Sequence, residues 1–124
     1  MKLYKIHLAL GLAWLLVGMT LGQIMGESGD HGQLPTHAHI MLVGGVLSIT
    51  WGLLYKLLDL PVRLIALVQG AAHYIGSGVM FIALYSLFGG EGDPATLGPI
   101  LGMAGTAVML SVLLMLFLVV RAKD

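Results

Sequence analysis

With 124 residues, the chain has the length of a single domain. Apolar residues make up 58% of it and charged residues 10%, a composition with too little polar surface for a soluble fold, so the chain is predicted to lie in a membrane. The formal net charge of zero indicates no nucleic-acid partner, and the lack of cysteine excludes disulfides, thiolate metal sites and thioether-linked haem.

Four stretches are long and apolar enough to cross a bilayer as helices. A hydrocarbon core of roughly 30 Å needs about 20 apolar residues in a helix, and the predicted spans cover about 3–25, 37–57, 63–88 and 96–120. The breaks between them combine glycine or proline with acidic residues, as turns do. The first span is too long for a signal-peptide core and is expected to be retained. The short connections predict a single all-α domain, residues 1–124, folded as an up-down four-helix bundle.

The charged residues divide between the two sides of the predicted membrane. The cations flank the N-terminus, the second break and the C-terminus: Lys2, Lys5, Lys56, Arg63, Arg121 and Lys123. The acidic residues of the other two breaks are Glu27, Asp30, Glu91 and Asp93. By the positive-inside rule, both termini are predicted to be cytoplasmic. The expected location is the bacterial inner membrane.

Small residues recur at helical spacing on every predicted span. Because lipid gives helices no hydrophobic reason to associate, such residues predict the faces where helices make contact. Beside a histidine, they would also leave room for a flat cofactor. By span in chain order, they are Gly11, Gly18 and Gly22; Gly44, Gly45, Ser48 and Gly52; Gly70 and Ser77; and Gly98, Gly102 and Gly105, with Met109 continuing the last line.

The histidines are the residues of the predicted spans with the clearest chemical use. His73 lies near the middle of the third span, His7 about a turn inside the first, and His37 and His39 at the outer end of the second, whereas His31 is expected to be solvated in a loop. Ionisable residues inside spans are costly and usually mark function. Neutral imidazole is the usual axial ligand of haem iron, often inside a helix bundle. No carboxylate lies within the spans, which disfavours a proton relay or a hydrolytic zinc site.

The second span contains the segment THAHIMLVGG, from Thr36 to Gly45, followed by WGLLY, which ends at Tyr55. This pattern resembles the tenth transmembrane helix of the haem-copper oxidase catalytic subunit, in which His-x-His near the outer surface precedes Leu, Gly and a later Tyr. The resemblance covers about 20 of the 124 residues, and Gly52 stands one position from the family's later glycine. The copper-binding helices of that family have no counterpart here, so oxygen reduction by this chain alone is not expected.

The resemblance implies haem ligands in the second span. The first histidine of the family's pair ligates the high-spin haem and the second the low-spin haem, which implies these roles for His37 and His39. Residues i and i+2 of a helix point about 200° apart, so the two imidazoles are expected to face opposite sides. The favoured axial pair is His39 with His73, and His7 with His73 is the alternative. A C2 homodimer is predicted to cover the side to which His39 points.

Three functions remain open from the sequence. The leading hypothesis is a membrane protein that binds haem b and transfers electrons or senses a redox state or a gas, without catalysing bond formation. An accessory subunit that packs against a respiratory oxidase is another. The third is a copper protein, because imidazole and thioether ligands suit copper. Its expected ligands are Met25, His31, His37, His39 and Met41.

Overall fold

The computed structural model describes residues 1–61 and 63–123, and within these residues the secondary structure is helical, without a β-strand. The helices are α1 (Leu3–Ser28), α2 (Leu34–His39), α3 (Leu47–Leu57), α4 (Arg63–Phe88) and α5 (Pro94–Val120), and a π-helix (Ile40–Val46) joins α2 to α3. The stretch Leu34–Leu57 thus forms one continuous second span. The described chain has four helices of the length and apolar character needed to cross a membrane, which confirms the predicted spans.

The helix ends differ from the predicted ones where glycine and proline were expected to form loops. Helix α1 continues to Ser28 and ends at Gly29, which has φ 73° and donates its N–H to the Met25 carbonyl. Pro35 and Pro94 lie in the first turns of their helices, where a missing N–H costs nothing. Asp93 caps α5 by accepting from the Ala95 N–H at 3.1 Å. Proline therefore marks the start of two spans rather than the loop before them.

Glycines bring α1 and the second span into close contact, and we call these two spans the first helix pair. A Cβ on Gly11 would lie 3.0 Å from the Gly45 carbonyl oxygen, and one on Gly52 would lie 3.0 Å from the Tyr4 carbonyl. A Cβ on Gly18 would lie 2.6 Å from the Met41 sulfur. The predicted glycine face of the first span is therefore a contact face, and the backbones approach because no side chain separates them.

Helices α4 and α5 form the second helix pair, and their closest approach is at a glycine as well. A Cβ on Gly76 would lie 2.9 Å from both the Ala104 carbonyl oxygen and the Ala107 Cβ. The glycine line predicted on the fourth span lies elsewhere: a Cβ on Gly98 or Gly102 would meet nothing within 4 Å. That line is thus not a contact face within the chain. Small residues permit close packing but do not determine which face of a helix is used.

The two helix pairs meet through large side chains that pack beside glycines: a Cβ on Gly44 would lie 3.0 Å from Phe81, and one on Gly70 would lie 3.5 Å from His7. Trp14 of α1 packs edge-to-face on Phe81 of α4, with ring centroids 4.8 Å apart. Near one end of the spans, the Gln33 amide donates to the Tyr85 carbonyl at 2.9 Å. Helix α5 makes its extensive helix contacts with α4, so it lies on the outside of α4 instead of closing a ring of four helices. The space between the two helix pairs is wide enough to hold large polar side chains.

The π-helix changes which residues of the second span share a face. On a regular α-helix, His37 shares a face with Ser48 and Gly52. A π-helical turn holds about one extra residue, which rotates everything before it relative to everything after it. His37 accordingly lies against Gly22 of α1, on the same side as Gly45 and Gly52. Ser48 instead faces α4, where it reaches His73.

Candidate functional site

Polar side chains from three spans meet between the two helix pairs, and we call this group the polar cluster. It lies where α1, α3 and α4 face one another, from Tyr55 close to the end of α3 to His73 in the middle of α4. Its members are His7, Ser48, Tyr55, Gln69, His73 and Tyr74. His7, Ser48, Gln69 and His73 are 0% exposed. Because buried polar groups inside a membrane must satisfy one another, this cluster is the main polar link between the helix pairs.

His7 is held from both sides by aromatic rings. Its ring stacks on Tyr55 with centroids 5.1 Å apart and on Tyr74 with centroids 5.4 Å apart. Its Nδ1 forms a hydrogen bond of 2.7 Å with the Tyr74 hydroxyl. Its Nε2 lies against Gly70, where a Cβ would be 3.7 Å away. The glycine predicted on the third span therefore leaves room for the imidazole itself.

His73 connects the middle of α4 to the second span. Its Nε2 forms a hydrogen bond of 2.8 Å with the Ser48 hydroxyl. Its ring stands edge-on to Trp51, with centroids 6.1 Å apart, and to Tyr74, with centroids 4.8 Å apart. One hydroxyl and two aromatic rings thus fix the orientation of this imidazole.

Four buried polar atoms of this region have no hydrogen-bond partner. They are His7 Nε2, Trp51 Nε1, Gln69 Nε2 and His73 Nδ1. Leaving a buried donor or acceptor unpaired costs about 1–3 kcal/mol, and native proteins do so rarely. Each of the two buried histidines therefore has one ring nitrogen bonded and the other free, which is the state of an imidazole that can accept a metal.

His37 and His39 lie on different sides of the second span. His37 is half-buried, and its Nδ1 forms a hydrogen bond of 2.7 Å with the Gly18 carbonyl of α1. His39 is exposed, and its Nδ1 forms a hydrogen bond of 2.7 Å with the Pro35 carbonyl of its own helix. Since a carbonyl only accepts, Nδ1 must carry the proton in both rings, and Nε2 is left as the basic nitrogen.

No family model, curated protein or solved structure matches this chain. Its function has to be inferred from the geometry of its own residues.

The structure brings some of the predicted ligands together and separates others. His7 and His73 both contact Tyr74, so the alternative pair lies in one cluster. The favoured pair is not brought together, because His73 is buried against Ser48 whereas His39 faces outward from its helix. Depth along a span predicted the candidates, but the direction of each side chain depends on how the helices pack.

The predicted copper ligands are distributed over the first loop and the two spans on either side of it. Met25 is buried, and the sulfur of Met41 packs at Gly18 of α1, whose carbonyl also bonds His37. His31 is exposed in the first loop, with its Nδ1 3.0 Å from the Gly29 carbonyl. Within residues 1–61 and 63–123, no three histidine or carboxylate side chains form a group that could hold a metal ion. The copper site of histidine and methionine stays a prediction.

Four members of the polar cluster are not among the ligands predicted from the sequence: Ser48, Tyr55, Gln69 and Tyr74. The Gln69 side chain is 0% exposed, and its Oε1 accepts from the Tyr55 hydroxyl at 2.9 Å. Tyr74 contacts both His7 and His73. Gln69 stands four residues before His73 in the same span, so the rule that polar residues inside spans are costly would have selected it. Nothing in the sequence marks Tyr74 apart from its position next to His73.

Proposed function

We propose that the protein binds haem b through histidines of its membrane spans and serves in electron transfer or in sensing redox state or a gas. The observation that supports the proposal is shared by the four imidazoles of the spans and by His31 in the loop: one ring nitrogen is held by a hydrogen bond and the other is not. Metal-ligating histidines have this arrangement, because the held nitrogen fixes both the tautomer and the ring orientation. The four span residues are His7, His37, His39 and His73.

The four imidazoles differ in the space around them. Both His7 and His73 are 0% exposed, with the His7 Nε2 against Gly70 and the His73 Nε2 bonded to Ser48, so a porphyrin does not fit between these two imidazoles as they are packed. His39 is different, since its imidazole is exposed on the surface of its helix. The residues fit haem at His39, and we propose this residue as the axial ligand. His7 and His73 then connect the two helix pairs.

The roles of the chain's own residues follow from these contacts. The Pro35 carbonyl accepts a hydrogen bond from the His39 Nδ1–H, which turns Nε2 outward as a lone-pair donor. Leu42, one turn further along and 62% exposed, offers an apolar surface on the same side as His39. When bound, haem supplies an iron that changes its oxidation state by one electron, and its axial ligands tune the potential.

We further propose an up-down arrangement with both termini in the cytoplasm of a bacterium and the spans in its inner membrane. The distribution of lysine and arginine supports this, since all of these residues flank the termini or the second break. Two contacts agree with it. The backbone of Asp59 in the second break forms an isolated β-bridge with the backbone of Lys123 near the C-terminus. The Gln33 amide of the first loop donates to the Tyr85 carbonyl near the end of α4. A homodimer and an external redox partner or oxidase subunit complete the proposal.

The absorption spectrum of protein purified after expression with ample haem tests the function. We expect a Soret band, and α and β bands that sharpen on reduction with dithionite, because imidazole-ligated haem b absorbs in this way. A His31→Leu variant, altered only in the exposed loop, should give the same spectrum as the wild type. A colourless preparation that remains fully helical would refute haem binding and favour the accessory-subunit hypothesis, and copper found by metal analysis would favour the copper protein.

A further inference from the structure

His39 is the one span histidine whose imidazole faces away from the rest of its own chain. It is the sixth residue of the second span, which places it about 8 Å along the helix axis from Leu34 at 1.5 Å per residue. Its Nδ1 is bonded to the Pro35 carbonyl, which directs Nε2 away from the helix backbone. A basic nitrogen held in this way on an outward face can bind a group from outside the chain.

No second imidazole of the same chain is placed to face His39, and all five histidines lie in the described part of the structure. His7 and His73 are 0% exposed between the helix pairs. His37 is turned to α1, where it bonds the Gly18 carbonyl. His31 bonds the Gly29 carbonyl in the first loop. One chain can therefore contribute only one imidazole, that of His39, to a haem.

The exposed residues next to His39 along the second span are apolar. Leu42 and Val46 follow it at intervals of three and four positions and are 62% and 51% exposed. The π-helix Ile40–Val46 turns the residues after it relative to those before it, so the face of His39 is defined by the residues up to its end. This face consists of His39, Leu42 and Val46.

On the basis of the haem binding proposed above, we propose that two copies of the chain pair through this face and share one haem between their His39 side chains. A two-fold axis through the interface sets the same residue of each copy on opposite sides of the axis. Each copy would thus contribute one imidazole to the shared iron, and the apolar residues next to His39 would contact the porphyrin. A second copy of the chain supplies the second imidazole nitrogen, so no other protein is needed.

This arrangement narrows the function of the site. With an imidazole on each side, both axial positions of the iron are occupied, so no position is open for a gas. A centre of this type changes oxidation state without exchanging a ligand, which suits electron transfer. The two histidines lie near the start of the second span, within reach of a partner on that side of the membrane.

The ratio of haem to protein tests the proposal directly. We expect about one haem for every two chains, in a particle whose detergent-corrected mass is that of a dimer. The reduced and oxidised spectra should be those of a six-coordinate, low-spin haem. One haem per chain, or haem in a monomeric particle, would overturn the sharing and leave haem binding intact. The absence of a Soret band in every preparation would overturn haem binding itself.

Substitutions of the exposed histidines provide the matched controls. His39→Leu should reduce the haem content at least about tenfold while the helical content stays that of the wild type, because the side chain is exposed. His31→Leu, the same change at the exposed histidine of the first loop, should keep the haem. His39→Gly should regain haem when free imidazole is added, since imidazole can replace the missing ligand. Wild-type haem content in His39→Leu would contradict the proposal.

Mixed dimers separate a shared ligand from a merely structural role of His39. Wild-type and His39→Leu chains with different tags can be co-expressed and purified through both tags in turn. If the haem is shared, the mixed dimer has one imidazole ligand, and we expect a shift toward a high-spin spectrum or loss of the haem. A mixed dimer with the low-spin spectrum of the wild type would refute sharing.

Discussion

At the scale of single residues, the polar cluster shows why hydrogen bonds between spans matter in this protein. Neither partner of a buried pair can turn to water when the other is removed. The His73 ring is the sharpest case, because its Nδ1 has no partner and its Nε2 has only the Ser48 hydroxyl. The loss of Ser48 would leave the whole imidazole without a hydrogen bond.

Ser48→Ala is therefore expected to lower the free energy of unfolding by about 1 kcal/mol, within the range measured for side-chain hydrogen bonds in membrane proteins. Thr50→Ala is the matched control two positions away. Thr50 is exposed, and its hydroxyl bonds only the carbonyl of its own helix. Unfolding of both variants in mixed micelles with increasing denaturing detergent measures the difference. Equal stability of the two would show that the Ser48–His73 bond contributes nothing.

At the scale of helices, glycine acts at contacts and not simply wherever it occurs. Gly76 and Gly102 are both interior glycines of long spans, but Gly76 faces the backbone of α5 whereas Gly102 faces outward. The same substitution at both positions thus compares a crowded site with an open one. The helix-forming preference of alanine acts at both positions, so the difference between them reports packing.

Gly76→Ala is expected to destabilise the protein by about 1–3 kcal/mol relative to Gly102→Ala, because the added methyl group would press on the Ala104 carbonyl and the Ala107 side chain. Thermal unfolding followed by circular dichroism in one detergent measures both variants. If the Gly76→Ala and Gly102→Ala proteins were equally stable, the close packing of α4 on α5 at Gly76 would contribute nothing to stability.

At the scale of the whole molecule, the chain consists of two helix pairs joined by polar and aromatic side chains. Contacts within each pair depend on glycine, whereas contacts between the pairs depend on residues such as His7, Tyr74 and Ser48. The wider spacing between the pairs is what allows the polar cluster to form. Variation in those side chains would change how the pairs meet without changing the spans.

The orientation in the membrane can be tested cleanly because the chain has no cysteine. Single substitutions His31→Cys and Glu91→Cys should react with a membrane-impermeant maleimide added to intact spheroplasts. Lys56→Cys and Lys123→Cys should react only after the membrane is permeabilised. All four positions are exposed, so reactivity depends on the side of the membrane. The reverse pattern would contradict cytoplasmic termini.

The sequence by itself determined the helical class and the four spans, because the cost of exposing backbone polar groups to lipid leaves a long apolar segment few alternatives to a helix. It also marked His7, His37, His39 and His73, since a polar residue inside a span stands out from its apolar neighbours. The ends of the spans were harder to place because proline and glycine serve helix ends as well as loops.

Only the tertiary structure decided where the side chains point. The π-helix of the second span turns His37 toward α1 and Ser48 toward α4, which no regular helical spacing predicts. The same packing buries His73 and leaves His39 outside. Depth is a property of one span, whereas direction depends on the rotation of each helix against its neighbours, and that rotation exists only once the helices have packed.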